Sequence, residues 1–135
     1  MDLGEMKQEK AAASAWFRTL RDEIVESFEN LEDTQAVGPF SGLPAGRFEV
    51  TQTTRTGDAG EDAGGGVMSV MRGGRVFEKV GVNISTVHGT LGPRAQAAMM
   101  ARKGLDGMAD DPRFWASGIS LVAHMQNPHT PSVHM

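Results

Sequence analysis

Apolar residues recur at steps of three and four near the start of the chain: Leu3, Met6, Ala13, Trp16, Phe17, Leu20, Ile24, Phe28 and Leu31. That period lines one face of a helix and predicts a long amphipathic helix over 3–31, with Trp16, Leu20, Ile24 and Phe28 stacked at i+4 against a core. Asp2 with Glu5 is spaced as a capping box at its start. The segment "LEDTQAVGPFSGLPAG" then breaks the pattern with two prolines and three glycines, a loop signature. Beyond it the period becomes two. "RFEVTQTTR" alternates and is rich in β-branched residues, which predicts a strand over 47–55. "VMSVMRGGRVFEKVGVNISTVHG" predicts strands over 67–72 and 75–88, joined at Gly73-Gly74 by a two-residue hairpin, because primed turns need positive φ. Alternation in the second of these strands assigns Val76, Val80, Val82, Ile84 and His88 to an apolar face. It assigns Phe77, Lys79, Asn83, Ser85 and Val87 to the other, which offers amides, hydroxyls and a cation to a polar ligand or to solvent.

The remaining patterns complete an α+β reading, an antiparallel sheet flanked by helices in one domain over 1–135. "RAQAAMMARK" lies between Pro93, suited to a first helical turn, and Gly104, suited to a helix end, and predicts a second helix over 93–103. Alternation returns over 117–124, and a return strand over 132–135 follows a turn forced by Asn127-Pro128 and Thr130-Pro131. "TGDAGEDAGGG" (Thr56 to Gly66) buries nothing and is expected to be a flexible surface loop. It lacks the Gly-Lys-Ser/Thr of a phosphate loop and no helical pattern follows it.

Composition narrows the function classes. The 135 residues suit one domain, although 17 glycines and a mean hydropathy of −0.30 leave modest core-forming material. A net charge of −4, with 13 Lys and Arg scattered along the chain, argues against nucleic acid as a partner. The absence of cysteine excludes disulfides, thiolate metal sites and cysteine nucleophiles, and fits the cytoplasm. No apolar run approaches the ~18 residues of a membrane span, and no signal peptide is expected at the N-terminus.

The densest chemistry is "GISLVAHMQNPHTPSVHM", Gly118 to Met135. Ser120 and His124 share one strand face, and an antiparallel return would bring His134 to the same side. One hydroxyl and two imidazoles suit anion recognition, proton transfer near neutral pH, or a metal. Three readings stay open on the residues alone: an incomplete metal site, acid–base catalysis by one histidine, and histidines that only satisfy backbone groups at a Pro-bounded turn. His129, between the prolines, is expected to be a turn residue.

"GRVFEKVGVNISTVHG" (Gly74 to Gly89) and "GISLVAHMQNPHTPSVHM" together closely resemble the aerobic, oxygen-dependent coproporphyrinogen-III oxidases, over about the N-terminal half of that family. The resemblance implies a flat antiparallel sheet between helical layers, a homodimer, and oxygen-dependent conversion of coproporphyrinogen III to protoporphyrinogen IX. Two propionate carboxyls leave as carbon dioxide and vinyl groups remain, with molecular oxygen as co-substrate and no haem, flavin or nicotinamide. It implies that Ser120 contacts substrate, that His134 donates a proton, and that His124 and His134 are ligands of a divalent metal whose requirement is contested in the family. Asn83, Ser85 and His88 lie in the other signature, and Asn83 and Ser85 are expected near the pocket. The family's Asn-x-Arg element and later ligands would follow Met135, so a truncated chain with little turnover is expected. The alternative is a non-catalytic remnant that binds porphyrinogen or metal, or only associates with another chain.

Overall fold

The computed structural model describes residues 3–35, 37–102 and 110–135. It has the α+β architecture that the two periodicities predict. Helix α1 (Leu3–Thr34) precedes strands β1 (Glu49–Thr56), β2 (Asp62–Arg72) and β3 (Phe77–Thr90). Helix α2 (Pro93–Met100), β4 (Arg113–Met125) and β5 (Val133–His134) follow. The strands form one sheet in the order β1-β2-β3-β4-β5, every neighbouring pair antiparallel. No helix among the described residues is long and apolar enough to cross a membrane.

Helix α1 covers one face of the sheet. The core beneath it is Met71, Phe77, Val80, Val82, Leu121 and Ala123, against which Ile24, Val25 and Phe28 pack. Phe28 stacks on Phe77 with ring centroids 4.6 Å apart. The helix meets the sheet in a different phase from the one its apolar residues suggest. Trp16 and Leu31 are 56% and 49% exposed, whereas Phe17 is half-buried and Glu32 is fully buried. A charged residue occupies the position in the stripe that Leu31 was expected to fill.

Glu32 is buried because the turn between β2 and β3 is built around it. Its Oε1 accepts the backbone N–H of Val76 and of Phe77, each at 2.9 Å. Its Oε2 accepts those of Gly46 (2.9 Å) and Arg75 (2.6 Å). Burial raises the carboxyl pKa, but the four N–H donors together outweigh it and hold the pKa below the ordinary 4.5. At Gly74 a Cβ would collide with this carboxylate.

Several sequence expectations are corrected. The turn after β2 is not a two-residue hairpin: Gly73 N–H donates to Glu78 O, Gly74 N–H donates to Phe77 O, and Arg72 pairs with Lys79. A bulge between Phe77 and Lys79 shifts the alternation there, so Phe77 joins Val80 in the core instead of facing away from it. Thr56–Gly66 is not a loop throughout. Strand β2 already begins at Asp62, and Gly64, Gly65 and Gly66 are built into the sheet. There the flanking strands come so close that a Cβ on any of the three would strike a carbonyl of Thr86, Thr53 or Ile84, and Gly64 has φ +95°.

Other boundaries move as well. Helix α2 ends at Met100, capped by Ala101, short of the expected 103, and β4 starts at Arg113 instead of 117. Asp2 of the expected capping box, and Lys103 and Gly104 at the expected end of α2, lie outside the described residues.

Candidate functional site on the open face of the sheet

Antiparallel register stacks side chains of one face into rows running across the strands. On the face opposite α1, one row is Arg72–Lys79–His124. The next is Glu49–Val70–Gly81–Val122–His134, and the third is Thr51–Met68–Asn83–Ser120. Ser85 follows, between Gly66 and Gly118. The rows enclose a shallow depression of about 420 Å³, with Met68, Val70 and Val122 as apolar floor and Arg72, Lys79, Asn83 and His124 around it.

The β4–β5 hairpin creates the histidine pair. Asn127 Oδ1 accepts the His129 N–H at 2.9 Å, and Thr130 N–H donates to Asn127 O, so the Pro-flanked segment turns sharply. Leu121 and Met135 exchange two backbone hydrogen bonds of 2.9 and 2.8 Å, which fixes His134 opposite Val122. Gln126 ties the end of β4 to the β2–β3 turn, its N–H on Val76 O and its Nε2 on Gly74 O.

His124 and His134 therefore sit diagonally on one face. Their Nε2 atoms lie 3.2 Å apart and their rings are stacked, with centroids at 5.4 Å. The contact is a hydrogen bond when one Nε2 carries a proton and the other presents its lone pair, with the direction set by the tautomers. Two imidazoles on one tetrahedral ion would place their nitrogens about 3.3 Å apart. The spacing thus fits two positions of a divalent cation's shell. Among the described residues no third His, Cys, Asp or Glu joins them.

The structure brings Ser120, Asn83, His124 and His134 to the same face, with Ser85 one row beyond. His129 stays exposed in the turn. His88 is on the helix side, opposite Trp115 on β4 and 3.9 Å from Asp62. Asn83 Oδ1 is buried without a hydrogen-bond partner, and an unpaired acceptor of that kind is costly unless something else occupies it. Arg72 is the residue that sequence reasoning passed over. Its position before Gly73-Gly74 suggests a turn flank, but counting back by twos through Val70 to Met68 places it on this face. Neither Arg72 nor Lys79 has an ion-pair partner among the described residues.

Comparisons with known proteins bear on what this face does. A family model described as Coproporphyrinogen III oxidase matches residues 12–135. The oxygen-dependent coproporphyrinogen-III oxidase of Rickettsia bellii (strain RML369-C) is 43% identical over 128 residues, 95% of this chain and 41% of that protein. Proteins of the same name from Rickettsia peacockii (strain Rustic) and Rickettsia felis (strain ATCC VR-1525 / URRWXCal2) are each 42% identical over 127 residues, 94% of this chain and 40% of theirs. The chain thus spans about 40% of the length of these curated relatives.

Proposed function

Because the chain belongs to the coproporphyrinogen III oxidase family, we propose that its open sheet face is a substrate-binding wall for the oxygen-dependent oxidative decarboxylation of coproporphyrinogen III to protoporphyrinogen IX. The observation that carries this reading is the convergence of Ser120, His124 and His134 on one face over an apolar floor. The substrate is an apolar macrocycle bearing four carboxylates and four pyrrole N–H groups, and a face combining Met68, Val70 and Val122 with hydroxyl, amide and imidazole groups suits both parts of it.

For each vinyl group formed, a propionate loses carbon dioxide and one hydrogen, and the electron pair released reduces molecular oxygen to the peroxide level. Balance requires one further proton at oxygen. His134 is the proton donor in this proposal, passing on the proton that its Nε2 shares with His124 Nε2 and taking its replacement from solvent, to which both exposed rings are open. Ser120 holds the reacting arm through its hydroxyl, and Asn83, its cross-strand partner, adds its side-chain amide to the wall of the depression. Ser85 extends the polar wall. Alternatively, the same two Nε2 atoms, both unprotonated, would supply two ligands to a divalent cation that adds Lewis acidity there, and they would then not carry the proton. We assign the protein to the cytoplasm and to a homodimer, for which the fully exposed edge strand β1 offers unpaired backbone.

Anaerobic titration with coproporphyrinogen III tests binding without turnover. The expected result is saturable binding that Ser120→Ala weakens, and a chain that does not bind would refute the reading. On admission of oxygen, His134→Ala should slow vinyl formation by about 10²–10⁴-fold relative to the unsubstituted protein while leaving anaerobic binding nearly intact, the signature of a proton donor.

A further inference from the structure

The two cations of the open face are not used by that mechanism, and they stand side by side. Arg72 and Lys79 are cross-strand partners, Lys79 is the partner of His124, and all three border the same depression. Both cations are exposed, and no carboxylate pairs with either among the described residues. Glu49 lies on this face at the edge in the neighbouring row, opposite Val70, and the exposed Glu78 precedes Lys79 on β3 without an ion pair to either cation. In a protein of net charge −4, two adjacent unpaired cations beside an apolar hollow form a local anion-attracting station.

We infer that Arg72 and Lys79 bind a carboxylate of the tetrapyrrole other than the one presented to Ser120 and His134, and so fix which arm reaches the imidazoles. This rests on the substrate reading above. Lys79 and Asn83 are four residues apart on β3, about 13 Å along the strand, a span on the scale of a tetrapyrrole with its side arms. A guanidinium fork can grip one carboxylate through two parallel N–H bonds, and an ammonium group beside it adds a compact charge. Without them, a propionate lying over Met68, Val70 and Val122 would give up hydration with nothing in return, which is costly for an ion.

The probe is coproporphyrin III, the oxidised and fluorescent tetracarboxylate, compared with its tetramethyl ester, each titrated into the 135-residue chain at low and at high salt. The unsubstituted protein should bind the acid more tightly than the ester, and salt should erode that preference. The pair Arg72→Gln with Lys79→Gln should weaken acid binding by about 10²-fold, roughly tenfold for each cation removed, and leave ester binding unchanged. Arg72→Lys, in the otherwise native chain, should keep most of the preference. Both side chains are exposed, so melting temperature should stay constant and loss of fold is not confused with loss of the station. If the double variant binds the acid as tightly as the unsubstituted chain while Ser120→Ala weakens it, the station is refuted and the substrate reading stands. Equal affinity of the unsubstituted chain for acid and ester also refutes the station alone. Binding of neither probe refutes both.

Discussion

On the helix side of the sheet, Met71, Val80 and Val82 are fully buried and Phe28 stacks on Phe77. On the other side the same alternation leaves Met68 44% and Val122 41% exposed. The strands are shared, so β-propensity cannot account for the difference; α1 does, by removing one face from water. The polar groups follow the same division. On the helix side Glu32 satisfies four backbone donors, and Ser14, Thr86 and Ser117 form a hydroxyl chain with contacts of 3.5 and 2.8 Å, although Ser69 Oγ remains unpaired. On the open side Arg72 and Lys79 have no ion-pair partner among the described residues, and Asn83 Oδ1 accepts no hydrogen bond. Glu32 and the hydroxyl chain are paired within the fold, whereas the exposed cations of the open side are available to a ligand.

Glu32→Ala should have the largest effect. It leaves four backbone donors of the Gly46 and Arg75–Phe77 segments facing a void, and removal of a buried, fully hydrogen-bonded charge costs about 3–5 kcal/mol. A denaturant melt should show that loss with native-like helix content in whatever fraction still folds, and a loss under about 1 kcal/mol would mean the turn does not depend on the carboxylate. The same group sets an acid limb. Its pKa is lowered in the fold, so its stabilising contribution is complete above the ordinary glutamate value of 4.5 and is lost as pH falls from there through the lower folded value. Glu32→Gln should flatten that limb, read as melting temperature against pH.

Glu32 also marks where the sequence was least legible. A hydrophobic stripe cannot anticipate that a glutamate will be buried, because the compensating donors come from Gly46 and from the β2–β3 turn, far away in sequence. The β3–β4 bulge and the paired glycine run were obscured for a related reason: both are decided by how neighbouring strands meet, and alternation along one strand carries no information about that. The α+β class, the alternation of Val80 and Val82 against Asn83 and Ser85, and the shared face of Ser120 and His124 were readable because each depends on a local period. Arg72 was obscured by the two glycines after it, which signal a turn and mask the strand that precedes them.

Two further substitutions probe the division between the faces from the buried and from the open side. Val82→Thr places a hydroxyl at a fully buried position beside Leu121. With only the buried, unpaired Ser69 Oγ opposite it on β2 to bond to, the new hydroxyl should cost about 1 kcal/mol in a urea melt. Ser120→Ala, one row from the imidazoles, should leave the melt unchanged and weaken anaerobic coproporphyrinogen binding by about tenfold, the loss of one charge-assisted hydrogen bond. A Ser120→Ala protein that melts earlier while binding normally would place the hydroxyl among the structural groups.

The smallest effect is expected from Val122→Thr, which makes the same chemical change as Val82→Thr on the adjacent strand but on the opposite face. Val122 pairs with Gly81 on one side and His134 on the other, and its side chain is 41% exposed, so the new hydroxyl can be solvated where it stands. The apolar surface lost was never fully removed from water, and the threonine retains β-branching and hence the strand geometry. Stability should therefore change by no more than about 0.5 kcal/mol. What the substitution removes is part of the apolar floor between the cations and Asn83, so affinity for the tetramethyl ester should fall with affinity for the acid, by a similar factor of a few. That common fall separates the floor from Arg72 and Lys79, whose replacement should move the acid alone. If Val122→Thr instead costs as much stability as Val82→Thr, residue 122 is packed in solution, and the face that carries the imidazole pair is covered in the isolated chain.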